Sequence, residues 1–142
     1  MYGISLWGSS RRVWLHKIII SQKCAIRSIA NVNRLAHTAD LFKEFKILPV
    51  PLLYKKKILH WYASTIVPST NRQNEVFTRN KKKGCINLPY CKKSRTLNSF
   101  LYDSVKIYNE FIKFRNATES KTNILNLINS FMSIELQKYM GF

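Results

Sequence analysis

The sequence predicts a mainly α-helical chain, with about four amphipathic helices, one short helix and a long basic irregular loop near residues 65–97. Three observations predict it. Apolar residues return at helical spacing in four separate stretches. Prolines and small polar residues sit at the ends of those stretches, where helices start and stop. Between residues 65 and 96 the periodicity fails, and Pro68, Gly84 and Pro89 punctuate a run rich in lysine and arginine. There is no internal repeat. The chain divides into a helical region over 1–64, the basic loop over 65–97 and a second helical region over 98–142.

The clearest element is residues 14–30, WLHKIIISQKCAIRSIA. At about 100° per residue, Trp14, Leu15, Ile18, Ile19, Gln22, Ala25, Ile26 and Ile29 share one arc. His16, Lys17, Lys23 and Arg27 share the other, with Ile20 and Cys24 breaking the pattern. Residues 1–13 read as an apolar lead-in broken by two glycines, and Gly8, Ser9 and Ser10 supply a turn and an N-cap. Asn31 and Asn33 suit the C-terminal end. Such a helix cannot stand alone. Burying about seven apolar side chains gains roughly 10–20 kcal/mol gross, against about 1–2 kcal/mol of backbone entropy for every residue ordered. Its apolar arc is therefore expected to dock on other helices and leave the basic arc free.

Residues 37–54, HTADLFKEFKILPVPLLY, come next. Thr38 or Asp40 can cap a short helix with Leu41, Phe42 and Phe45 at helical spacing. Pro49 ends that helix, and Pro51 suits the first turn of the next. Over about 51–64, Tyr54, Ile58, Leu59, Trp61 and Tyr62 form a broad apolar flank, with Lys56, Lys57 and His60 opposite and Lys55 at the margin. Aromatic residues at this spacing read as core, although an aromatic beside a lysine can also stack on a base. Helical spacing returns at 98–113, through Leu101, Val105, Tyr108, Phe111 and Ile112. It returns again at about 122–139, through Ile124, Leu127, Ile128, Phe131 and Leu136.

The charge balance points to the partner. The 142 residues hold 24 Lys+Arg against 7 Asp+Glu, a net charge of +17. That excess calls for a polyanion, nucleic acid before an anionic membrane surface. No apolar run approaches the length of a membrane span. Three cysteines, Cys24, Cys85 and Cys91, make no disulfide framework and suit a reducing compartment.

The chemistry the residues can support is narrow. Two-metal phosphoryl transfer needs converging carboxylates, and this chain has two aspartates, Asp40 and Asp103, each isolated. Cys85 and Cys91 lack the spacing of a structural zinc site, and His16, His37 and His60 are scattered singly. Four glycines leave little for a phosphate loop. No catalytic residue and no metal ligand is assigned, and no cofactor is expected in this chain.

The motifs in series resemble one known family. YGISLWG at 2–8, SQKCAIRSIA at 21–30, His37 and LFKEFKILPVPLLY at 41–54 are similar to the region downstream of the catalytic palm in jockey-like non-LTR retrotransposon reverse transcriptases. Members of that family tend to read YGI-x-x-WG, QK-x-AIR-x-I and LFKELKIL-x-x-PSLY there. TRN at 78–80, Leu88–Pro89 and SFLYDSVKIYN at 99–109 resemble the family's TRN…LP…SFLY-x-G-x-K-x-YN segment. The likeness covers residues 2–113 in order. It departs at Ser104, often Gly in the family, at Glu110–Phe111, often Leu-Pro, and at the unusually basic Lys55–Lys57. After Asn116 it is faint.

What the resemblance implies is a fragment of an RNA-directed DNA polymerase, with residues 1–64 as a thumb-like region and 98–142 as a C-terminal extension. The aspartate-bearing motifs and the Mg of the parent enzyme would belong to the palm, so this chain is expected to be inactive alone. Its expected partners are an RNA template, a DNA primer and the palm and fingers, in the nucleus or cytoplasm. Arg11, Arg12, Lys17, Lys23 and Arg27 are the first candidates for phosphate contacts, followed by Lys55, Lys56, Lys57 and Arg79. Two alternatives stand beside this reading. The absence of acidic residues before Asp40 resembles a mitochondrial presequence, which would make the remainder a small basic RNA-binding protein. The other is a translated relic whose apolar helix faces have lost their partner.

Overall fold

In the computed structural model, the chain is described over residues 3–8, 12–65, 84–88, 90, 92, 99–118 and 123–140. These form α1 (Ile4–Trp7), α2 (Arg12–Ile29), α3 (Ala39–Glu44), α4 (Val50–Thr65), α5 (Phe100–Thr118) and α6 (Ile124–Met140), with no strand among the described residues. The mainly α class agrees with the sequence periodicity, and the boundaries of α2, α4, α5 and α6 fall close to those it predicts. Two differences stand out. The lead-in contains a helical turn, α1, and α5 runs on past Lys113 to Thr118.

The centre of the molecule is α4, which touches α1, α2, α5 and α6. Its Tyr54, Ile58, Leu59 and Tyr62 recur at helical spacing and are buried against Ile107, Phe111 and Ile112 of α5 and Leu127, Ile128, Phe131 and Met132 of α6. Ring contacts knit the three helices. Tyr62 stacks on Tyr108 with centroids 4.6 Å apart, and Phe131 meets Phe111 edge-on at 5.7 Å. Each such pair adds roughly 0.5–1.5 kcal/mol beyond its buried area.

Ser104 and the Glu110–Phe111 pair each have a physical role in the packing of α5. Ser104 is buried, with its hydroxyl donating to the Leu101 carbonyl and 3.3 Å from the Tyr62 hydroxyl. A small residue is what lets α4 and α5 approach at that point. Glu110 and Phe111 lie inside an unbroken α5, because Phe111 is a core residue and Glu110 faces Lys55.

Residues 3–8 close the other side of α4. Gly3 enters α1 at φ 89°, a left-handed conformation that favours glycine. Ile4 drops into the core, and Gly8 sits so close to Tyr54 that an added Cβ would lie 2.2 Å from its ring.

Helix α2 is more peripheral than its sequence pattern suggests. Ile26 is buried and Leu15 and Ile19 are half-buried, but Ile18 and Ile29 of the predicted apolar arc are exposed, Ile29 by 66%. The expected wholesale docking of that arc does not occur within the described residues. Gln22, the one polar residue on the arc, fastens the helix instead. Its amide donates to the Leu48 carbonyl at 3.0 Å and accepts from the Val50 N–H at 3.1 Å. Val50 opens α4, so Gln22 satisfies one of the N–H groups that a helix start leaves without an internal partner.

The ends of α2 and α3 share one solution. Asn31 at φ 51° comes after α2, with Asn31 N–H bonded to the Ser28 carbonyl and Val32 N–H to the Arg27 carbonyl. That is a Schellman cap, as the asparagines predict. Lys46 at φ 52° does the same after α3, through Lys46 N–H to Lys43 and Ile47 N–H to Phe42. So α3 ends at Glu44, before Pro49 can act. Pro49 is buried at the start of α4 instead, where its carbonyl accepts from Leu52 and Leu53. Thr38 occupies the α3 N-cap position, yet its side chain makes no capping bond. The Gly8–Ser10 cap expected before α2 involves Ser9 and Ser10, which lie outside the described residues, as does most of the 65–97 loop.

Candidate nucleic-acid interface

Helix α4 divides its cations between two faces. At about 100° per residue, Lys55 falls within the buried arc of Tyr54, Ile58, Leu59 and Tyr62, whereas Lys56, Lys57 and His60 fall on the opposite side with Leu53. Lys55 donates to Glu135 of α6 at 2.7 Å and lies 3.9 Å from Glu110 of α5. Lys138 joins the same carboxylate at 3.4 Å. Burial pushes the Glu135 carboxyl up, but the hydrogen bonds and charges of Lys55 and Lys138 outweigh it and hold the carboxyl below the usual glutamate range. Lys55 therefore ties α4 to α5 and α6.

The other face is cationic and recessed. Lys56, Lys57 and His60 line a groove of about 280 Å3 beside α1, floored by Ile4 and Leu53, with no carboxylate among the described residues of its lining. The local potential is legible in His60. Partial burial, then the charges of Lys56 and Lys57, lower its pKa from the ordinary 6.5. Trp61 stands one helical turn beyond Lys57. Its ring meets Tyr62 edge-on at 4.9 Å and Phe100 at 6.0 Å, while 46% of its surface remains exposed. The aromatic flank read as core thus splits: Tyr54 and Tyr62 are core, and Trp61 is half in solvent.

The α2 candidates are spread along that helix. Lys17 is exposed and Lys23 half-buried. Arg27 is half-buried and donates from Nε to the Ala36 carbonyl at 2.9 Å, closing the loop after α2. With Arg34 it lines a second basic recess of about 370 Å3. Arg12 lies in the first turn of α2. Arg11 and Arg79 lie outside the described residues. The structure thus brings Lys56 and Lys57 together, sets Lys55 apart from them, and places Lys17, Lys23 and Arg27 along α2.

Sequence reasoning missed a second amide clamp. Asn109 donates to the Ile86 carbonyl at 2.8 Å and accepts from its N–H at 2.9 Å, pairing with that backbone as a neighbouring strand would. Cys85 and Ile86 consequently pack on the core, where a solvated loop was expected. In the sequence Asn109 sits at the border between Val105 and Ile112 on one side and Lys106 and Lys113 on the other, and nothing marks it as a clamp.

Among the described residues no three of His, Cys, Asp or Glu come together as metal ligands. No helix there is long and apolar enough to cross a membrane. No protein-family model, curated protein or solved structure matches the chain.

Proposed function

We propose that this chain is a nucleic-acid-binding helical module, serving as the thumb and C-terminal extension of a non-LTR retrotransposon reverse transcriptase whose palm lies elsewhere. The observation that carries the binding part is the partition of charge on α4. The acidic residues Glu110 and Glu135 gather round Lys55, and the opposite face keeps Lys56 and Lys57 beside a histidine whose pKa is lowered by partial burial and then by those two charges. The family part rests on the ordered motifs over residues 2–113. It is supported by the exposed Ile18, Ile20 and Ile29 of α2, the surface that a segment docked on a palm would present. On this reading the module works in the nucleus or cytoplasm, gripping an RNA template and DNA primer through their backbones, while the chemistry and its Mg belong to the palm.

Backbone contacts release counterions, so affinity falls with salt by about 0.7–0.9 log units per log unit of salt for each phosphate neutralised. If Lys17, Lys23, Lys56 and Lys57 each neutralise one, the full chain on a labelled RNA·DNA primer–template gives a slope of about −3. Fluorescence anisotropy at several salt concentrations measures it. A slope near zero would remove the physical basis of the proposal.

A further inference from the structure

The α4 groove offers more than a general affinity for phosphates. Resting on the nucleic-acid reading above, we propose that Lys56, Lys57 and His60, with Trp61 beside them, form a subsite for single-stranded nucleic acid. The two lysines hold consecutive backbone phosphates, Trp61 stacks an unpaired base, and His60 takes up a proton as the phosphate arrives.

Three independent features converge on this site. The groove is concave, with an apolar floor of Ile4 and Leu53 and cationic walls. It suits the ribose and phosphate of one nucleotide better than a flat basic surface would. Trp61 stands at the i+4 position from Lys57, so the two side chains are neighbours on the helix surface. Its ring is already held against Tyr62 and Phe100, and stacking a base on it costs little further ordering. A duplex keeps its bases stacked within itself, whereas a single strand can offer one to an aromatic ring.

The protonation is set by the groups facing His60. From its own helix it meets Lys56 and Lys57, and from α1 it meets the apolar Ile4; among the described residues no carboxylate lines the groove. The imidazole is therefore largely neutral at neutral pH. An arriving phosphate supplies the missing negative charge and raises its pKa, so binding takes up a proton. Affinity then rises as pH falls from above the pKa of the complex toward the depressed value of the free chain, and levels off below that.

The full chain is titrated against a short labelled RNA single strand, a duplex of the same sequence and heparin, from about pH 8 to about pH 5.5 at fixed salt. The proposal expects the single strand to bind tighter than the duplex. It expects Trp61→Ala to lose about 5- to 150-fold on the single strand and little on the duplex, with Trp61→Phe recovering much of the loss. Circular dichroism melts of both Trp61 variants separate lost stacking from lost folding. Lys57→Gln, at an exposed position, weakens binding without altering the melt, and Lys56→Gln, at a half-buried one, weakens binding by more than any change in the melt explains. Affinity rises by up to tenfold per pH unit for one proton taken up, and His60→Gln removes one proton's share of that slope while His37→Gln keeps it. If the chain binds nucleic acid but Trp61→Ala and His60→Gln behave as wild type, the subsite is wrong and the broader reading stands. Equal binding of heparin and RNA, indifferent to Trp61, also overturns it. If neither strand form binds in a salt-dependent way, both proposals fall.

Discussion

Replacing Gln22 with leucine should release α2 from the rest of the molecule without melting the helices beneath it. The two hydrogen bonds that Gln22 makes, at 3.0 Å to the Leu48 carbonyl and 3.1 Å from the Val50 N–H, are the polar tie between α2 and the start of α4. Leucine keeps the volume and the helix propensity but leaves both backbone groups to find water. At about 1 kcal/mol net for each partly buried bond, the loss is about 2 kcal/mol. Among the α2 side chains described, Ile26 alone is fully buried, so the loss falls on a small local contact rather than on the α4–α5–α6 core.

Hydrogen exchange read by mass spectrometry resolves the two. Peptides from α2 should exchange about 30-fold faster in Gln22→Leu, the factor that 2 kcal/mol implies. Peptides from α5 and α6 should be unchanged, because Ile112, Ile128 and Phe111 pack on α4 independently of α2. Equal acceleration in all helices would refute the reasoning, since it would make α2 part of one cooperative unit. No acceleration in α2 would refute it from the other side, by showing that the amide contributes nothing.

Two further substitutions test the folded framework. Lys46→Gly should stabilise the chain by about 1 kcal/mol, because glycine occupies the left-handed cap after α3 without the penalty that a Cβ brings there; a thermal melt should rise by roughly 3–5 °C. Glu135→Gln should cost about 1–3 kcal/mol at neutral pH by leaving Lys55 without its closest carboxylate. The depressed folded-state pKa of Glu135 gives wild type stability that is complete above the ordinary value of 4.5 and is lost as pH falls through the lower folded value. Urea titrations across that range should show the wild-type curve falling toward the variant's as acid is added. A constant gap would assign the stability to something other than ionisation.

Much of the helical content was legible in the sequence because it is written in local signals. The spacing of Tyr54, Ile58, Leu59 and Tyr62, and of Phe111 with Ile112, marks faces that any apolar partner would bury. Asn31 marks a left-handed helix end because its short amide tolerates that conformation. Lys46 carries no such mark, and its cap shows only in the backbone bonds from Lys46 to Lys43 and from Ile47 to Phe42. Rank was harder to read than existence. The most regular helix by periodicity, α2, is the least buried of the four long helices over the described side chains, since burial depends on what the chain brings against a face and periodicity describes only the face. Gln22 looked like a blemish on an apolar arc and is the fastening. The candidate site was half legible for the same reason: Lys56, Lys57 and His60 share a flank by spacing alone, but that Lys55 belongs to the interior depends on Glu110 and Glu135, which lie 55 and 80 residues further along the chain.

That distance between lysine and its carboxylates explains how so basic a chain can have both a bound interior and a cationic surface. With 24 basic and 7 acidic residues, the acidic groups are scarce enough that their placement decides where the positive potential survives. Scattered evenly, they would lie within a Debye length of about 8–10 Å of many lysines and blunt the field everywhere. Glu110 and Glu135 converge instead on Lys55, and Asp103 lines the adjoining recess with Lys106 and Glu110. Those carboxylates act on the α5–α6 side of α4, partly screened from solvent, where a charge-assisted bond is stronger than on an open surface. The face carrying Lys56, Lys57 and His60 is separated from them by the width of a helix and its packed core. Adding one carboxylate to that face, as in Leu53→Glu, would counter the part of the His60 shift that comes from Lys56 and Lys57 rather than from burial, while leaving the net charge within one unit of its present value. On the proposed reading, the local arrangement, more than the total of +17, would be what draws a phosphate to α4.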